Sequence, residues 1–146
     1  MWMLTRRCRQ GKARFRAVVD SGRFVGLTYV IGDDRVKTLM FLAIDESARD
    51  GGYGSAILKK VRTEYPDQKL FLNIEPLDEN APNYDQRCRR KAFYQRNGLS
   101  CRGSQGREAG VTYEMMTYGE YVTRDEYEEV MRVMYGSLLY KIIKRM

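Results

Sequence analysis

The segment LAIDESARDGGYGSAIL, residues 42–58, sets an apolar strand, a short polar loop, the pattern Arg49-x-x-Gly52-x-Gly54 and a helix start in succession. Glycine lets a backbone approach a ligand closely, and the first N–H groups of a helix have no partner inside it. With the positive end of the helix dipole they form an anion site that needs no lysine. A phosphate suits such a turn. The spacing is not that of a Walker A loop, which needs Gly-Lys-Ser/Thr, and the GxGxxG dinucleotide fingerprint is missing. The same glycines would also serve a tight turn with close helix packing, so the turn alone does not decide.

Other chemistries are excluded by composition. The chain has no histidine, which removes Ser-His and Cys-His nucleophile couples. Cys8, Cys88 and Cys101 are widely spaced with no CxxC pair, so no metal site is expected and they read as reduced packing thiols. Proton transfer then falls to Glu, Asp, Tyr, Lys, Cys or water. The net charge of +7 is concentrated in two stretches. Residues 1–16 carry six bases and no acid, and residues 85–107 carry seven bases against Asp85 alone. Such clusters favour an anionic partner, whether nucleotide cofactor, RNA or acidic substrate, unless they are simply solvated helix faces. No apolar stretch is long enough to span a bilayer, and the start lacks a signal-peptide core. A cytoplasmic protein without a membrane partner is expected.

At 146 residues the chain fits one domain, residues 1–146. Residues 1–10 read as a short helix stopped by Gly11. Residues 13–19 and 24–31 are strands joined at Asp20-Ser21-Gly22, and Gly32-Asp33-Asp34 turns into a third. That third strand, residues 36–44 (VKTLMFLAI), is continuously apolar, as expected of a central strand covered on both faces. Three strands with tight turns make an antiparallel meander. A helix over about residues 52–64 and a strand over 70–74 (LFLNI) then form a crossover that sets the flanking strands parallel. Residues 83–97 are a second helix closed by Gly98. Two weaker strands follow, near residues 100–105 and 111–118. From Thr123 an amphipathic helix runs to about residue 145, opened by the capping box Thr123-Arg124-Asp125-Glu126. Tyr127, Val130, Met131, Met134 and Leu138 recur along it at three- and four-residue spacing. It should cover the sheet, though it could instead pair with another subunit and make a homodimer. The fold class is α+β, a mixed central sheet.

This order of elements resembles the GNAT superfamily of N-acetyltransferases. Its motif A, Arg/Gln-x-x-Gly-x-Gly/Ala, is similar to Arg49-Asp50-Gly51-Gly52-Tyr53-Gly54 here. A second match, Ala92-Phe93-Tyr94-Gln95-Arg96-Asn97-Gly98-Leu99, resembles the superfamily's AxxFYxxxGF segment, and the likeness spans roughly residues 13–118. It implies acyl transfer from acetyl-CoA to a primary amine by direct attack. In such enzymes two neighbouring strands splay, and pantetheine pairs with the first of them. Carried over, the backbone of Phe41, Leu42, Ala43 and Ile44 would hold the pantetheine, with a free N–H near Leu42 polarising the thioester carbonyl. The N–H groups of Asp50, Gly51, Gly52, Tyr53, Gly54 and Ser55, beside Arg49, would bind the pyrophosphate.

Tyr94 matches the tyrosine that protonates the departing thiolate. Arg87, Arg90 and Lys91 lie seven, four and three residues before it, on its helix face, and could meet CoA phosphates or an acidic substrate. Glu75, closing LNIEP, and Glu114, within VTYEMMTY, are the candidate general bases, although an amine already deprotonated could attack unaided. Asn80 and Asn83 are further cofactor candidates, with Arg87 standing where the family commonly has Asn. Members of the superfamily usually begin with a strand and two helices that roof the acceptor site, whereas only about ten residues precede the first strand here. Two rival readings follow. One is a module that binds acyl-CoA without efficient catalysis. The other is a basic RNA-binding protein, against which stands the lack of any RNP or KH signature.

Overall fold

The computed structural model of the chain describes residues 2–102, 105–108 and 110–145. A short helix, α1 (Trp2–Arg9), precedes the meander of β1 (Ala13–Asp20), β2 (Arg23–Gly32) and β3 (Val36–Ile44), all antiparallel. Ser21 and Gly22 turn β1 into β2 with φ of 51° and 80°. Two consecutive positive φ values suit a two-residue hairpin because they match the strand twist. Asp33 Oδ1 closes the next turn by accepting from the N–H groups of Arg35 and Val36, each at 2.8 Å.

A 3-10 turn (Glu46–Ala48) leads into α2 (Tyr53–Glu64), and β4 (Lys69–Ile74) returns parallel to β3. Then come α3 (Tyr84–Arg96), β5 (Gly106–Glu108), β6 (Val111–Thr117), α4 (Arg124–Tyr135) and α5 (Ser137–Arg145). The sheet runs β1-β2-β3-β4-β6-β5, so the expected mixed sheet and parallel crossover are present.

Each face of the sheet carries its own apolar layer. On one, Ile57, Leu58 and Val61 of α2 pack over Val30, Leu39, Leu72 and Ile74, with Phe93 and Tyr94 of α3 alongside. On the other, Tyr127, Val130, Met131 and Met134 of α4 pack over Tyr29, Ile31, Val36 and Phe71, joined by Leu4 and Cys8 of α1. The capping box of α4 is formed: Glu126 N–H donates to Thr123 Oγ1 at 3.2 Å, and Thr123 N–H to Glu126 Oε2 at 2.9 Å. Such a cap contributes about 1 kcal/mol.

Three expectations are corrected. The C-terminal helix does not run unbroken to residue 145, because Gly136, at φ 82°, ends α4 and starts α5 in a new direction. Leu138 therefore falls off the buried stripe and is 78% exposed. The strand expected over residues 100–105 is absent as such; 103 and 104 lie outside the described residues, Ser100 makes only an isolated bridge to Thr117, and pairing resumes in β5. Finally, β3 is covered on both faces only over its first half. Val36 and Leu39 are buried, whereas Phe41 is 45% exposed and Ala43 is also exposed, because α4 packs against the opposite end of the strand.

Candidate active site

The strands β3 and β4 part company early. They pair only at Val36↔Lys69, Lys37↔Leu70 and Thr38↔Phe71. Beyond Thr38 the register of β3 on β2 jumps from Val30↔Leu39 to Tyr29↔Phe41, leaving Met40 as an extra residue. A bulge of this kind bends its strand and increases the local twist, which turns β3 away from β4 and opens a V. The edge that faces the gap has usable groups. Asp45 N–H donates to Val25 O at 2.9 Å, and antiparallel alternation then aims Ala43 at β2 and Leu42 and Ile44 at the gap.

At the wide end of the V stands the mouth of α2. Asp45 organises the approach by accepting Ser47 N–H at 3.0 Å, and Arg23 clamps the turn through Ser47 Oγ at 2.8 Å. Tyr53 OH donates to Asp20 at 2.7 Å, tying the first residue of α2 to the β1–β2 hairpin. Asp50 and Gly52 both take left-handed backbone, φ 65° and 75°, a conformation that asparagine, aspartate and glycine tolerate best. The turn leaves its donors open: among the described residues, the N–H groups of residues 50–55 meet no protein acceptor, and the first internal bond is Ala56 N–H to Gly52 O at 3.1 Å. Gly54 serves a second purpose. A Cβ there would come within 2.9 Å of the Phe93 ring, so its absence lets α3 close on α2.

Together these elements enclose a cleft of about 710 Å³. Leu42, Ala43, Ile44, Arg49, Asp50, Gly52, Tyr53, Gly54 and Ser55 line it on one side, and Arg90 and Tyr94 of α3 on the other. Gln86, Arg89, Phe93 and Arg96 line it too; none of the four was named as a site residue from sequence, although Phe93 and Arg96 belong to the segment that carries the family resemblance. Their spacing of three, four and three residues was the available signal, since it marks one helix face. Phe41 borders the gap but not this cleft.

Other candidates are placed elsewhere. Arg87 donates to Asn83 Oδ1 and to Pro76 O, each at 2.8 Å, and lies 3.2 Å from Glu75. Arg90 reaches Glu75 as well, at 3.6 Å. Lys91 binds Glu114 at 2.6 Å, and that bond holds its ammonium above the usual lysine value. Glu75 and Glu114 are thus ion-paired, and Asn83, Arg87 and Lys91 do not line the cleft. Asn80 sits in a turn, its N–H on Asp78 at 3.0 Å. Burial pushes the Tyr94 phenol up, opposed in part by Arg90, so the group keeps its proton at neutral pH. Among the described residues no cluster of histidine, cysteine and carboxylates could hold a metal ion, and no helix is long and apolar enough to cross a membrane.

Comparison with solved structures bears on this geometry. A protein assigned to the GNAT acetyltransferase family of Bacteroides thetaiotaomicron is similar over 90% of this chain and 76% of its own, with a TM-score of 0.64 and 21% identity. The fold is that of the GNAT acetyltransferases. An aminoglycoside 6'-N-acetyltransferase complexed with coenzyme A matches 77% of this chain and 76% of its own at TM-score 0.55 and 17% identity. The aminoglycoside 6'-N-acetyltransferase of Enterococcus faecium matches 75% of each chain at TM-score 0.54 and 17% identity. No family model and no curated protein matches the sequence.

Proposed function

We propose that the chain is an N-acetyltransferase that moves an acetyl group from acetyl-CoA to a primary amine. One observation carries the reading: a helix mouth with open main-chain donors stands directly above a gap between parallel strands, within one cleft. A diphosphate needs several donors and no fixed side chain, and residues 50–55 supply them beside Arg49, Arg89 and Arg96. A pantetheine arm needs an unpaired strand edge, and Leu42 and Ile44 offer one. The residues present therefore fit coenzyme A.

In this reading the Leu42 N–H donates to the thioester oxygen and strengthens as that oxygen gains charge, an effect worth about 3 kcal/mol per donor elsewhere. The amine nitrogen forms a bond to the carbonyl carbon as the C–S bond breaks. Tyr94 gives its proton to the departing sulfur and regains one from solvent. The amine attacks in its neutral form, its ammonium proton having already gone to solvent. The proton it sheds as the amide forms passes to water, because Glu75 and Glu114 are occupied by Arg87, Arg90 and Lys91.

That pairing of both carboxylates favours a second reading, a module that binds acyl-CoA and turns it over poorly. One measurement tests both readings and a second separates them. Acetyl-CoA at millimolar concentration should raise the Tm, and adenine nucleotides without pantetheine should raise it less. Thiol release from acetyl-CoA across a panel of primary amines should exceed the amine-free rate for the enzyme, and not for the module. No change in Tm with acetyl-CoA would end both readings.

A further inference from the structure

A second cavity, of about 170 Å³, lies directly below the gap on the α4 side of the sheet. Its walls are consecutive residues of β3, Thr38 to Phe41, with Met131 and Met134 of α4 beneath and Asn73 and Tyr113 across the V. The cofactor cleft ends at Leu42, and this cavity begins at the next residue down the same strand. The nucleotide end of the cleft is fixed at the mouth of α2, beyond Ile44, so an arm lying along β3 presents its thioester toward Phe41. Whatever the sulfur carries then points into the smaller cavity.

The lining suits a chain of methylenes. Among the described residues that form it none is charged, and its polar members are Thr38, Asn73 and Tyr113 beside five apolar side chains. Three of them are methionines, Met40, Met131 and Met134, whose unbranched, polarisable side chains adapt to guests of irregular shape. An apolar cavity of about 150 Å³ is large enough for a benzene ring, so this one has far more room than an acetyl methyl fills. We infer that this cavity is an acyl-chain pocket and that the preferred donor is an acyl-CoA longer than acetyl, about four to six carbons. The inference rests on the acyl-CoA reading of the cleft and changes the preferred donor from acetyl-CoA to a longer acyl-CoA used in the same transfer.

The test measures dissociation constants of free CoA, acetyl-CoA, butyryl-CoA and hexanoyl-CoA by calorimetry on the whole chain. Each methylene transferred from water to an apolar site is worth roughly fourfold in affinity. Butyryl-CoA should therefore bind on the order of tenfold more tightly than acetyl-CoA. In Phe41→Ala, where the side chain removed is half exposed and carries little of the fold, that advantage should shrink to about twofold or less. An undiminished advantage in the variant would overturn the assignment. So would equal binding of acetyl-CoA and butyryl-CoA by the unaltered protein, which would leave the cavity to the acceptor. Failure of free CoA to bind at all is a different result, because it refutes the cleft reading itself.

Discussion

At the mouth of α2 the positive potential comes from main-chain N–H groups with no protein acceptor; on α3 it comes from side chains, several of which the fold neutralises. Both regions look like anion sites in the sequence. In the structure only the first is wholly open, whereas Arg87 and Lys91 are paired with Glu75 and Glu114. The difference has a physical origin. A helix start cannot satisfy its own donors, but a guanidinium will take any carboxylate the topology brings near. Open main-chain donors are thus the firmer sign of a ligand, and a run of arginines is the weaker one.

The sharpest way to break this comparison is to remove chemistry from α3 without touching the α2 mouth. Tyr94→Phe should lower kcat about a hundredfold, the lower end for loss of a general acid, and leave the Kd for acetyl-CoA within twofold. An unchanged kcat would remove Tyr94 from the mechanism. Next in size is Gly52→Ala. Nothing lies near the added methyl, so its whole effect is the left-handed backbone, which costs about 1–2 kcal/mol. Acetyl-CoA affinity should fall roughly tenfold as the turn relaxes; titration calorimetry with an unaltered Kd would show that the turn does not hold the nucleotide.

A paired substitution probes the α3 charges directly. Arg89→Ala, at the cleft wall, should weaken acetyl-CoA binding about two- to fivefold, and less so at high salt. Arg87→Ala should leave that Kd within twofold yet lower the Tm, because Pro76 O, Asn83 and Glu75 lose their donor. Equal effects on Kd would erase the distinction between the two arginines. Smallest is a pH effect at the paired end. Lys91 has a folded value above 10.5, raised first by the bond it donates to Glu114, so its contribution is intact below that pH and disappears as pH rises through the folded value. Scans across this range should show a steeper alkaline loss of Tm in the unaltered protein than in Lys91→Met.

Much of the fold was legible because local rules fixed it. Alternation in β1, the Ser21-Gly22 turn, the glycines before α2 and the Thr123 cap each act within a few residues. What escaped depends on distant partners. Leu138 continues the stripe of α4 in spacing, but Gly136 redirects the chain before it. The apolar run of β3 suggested cover on both faces, yet where α4 docks decides that only its first half receives it. Glu75 and Glu114 looked available because Arg87 and Lys91, respectively 12 and 23 residues away, meet them only once β4, α3 and β6 are assembled. In the cleft, Gly54 was legible as a glycine that admits a ligand, but its contact with Phe93 of α3 was not.

The most direct test of the central claim follows the backbone amides themselves. In amide-resolved NMR of the whole chain, adding CoA should move the N–H resonances of Gly52, Tyr53, Gly54 and Ser55 furthest, as they take up phosphate oxygens, with Leu42 and Ile44 next. If those signals stay in place while the arginine-rich α1 and β1 respond, the nucleotide sits elsewhere and the helix mouth is only a turn.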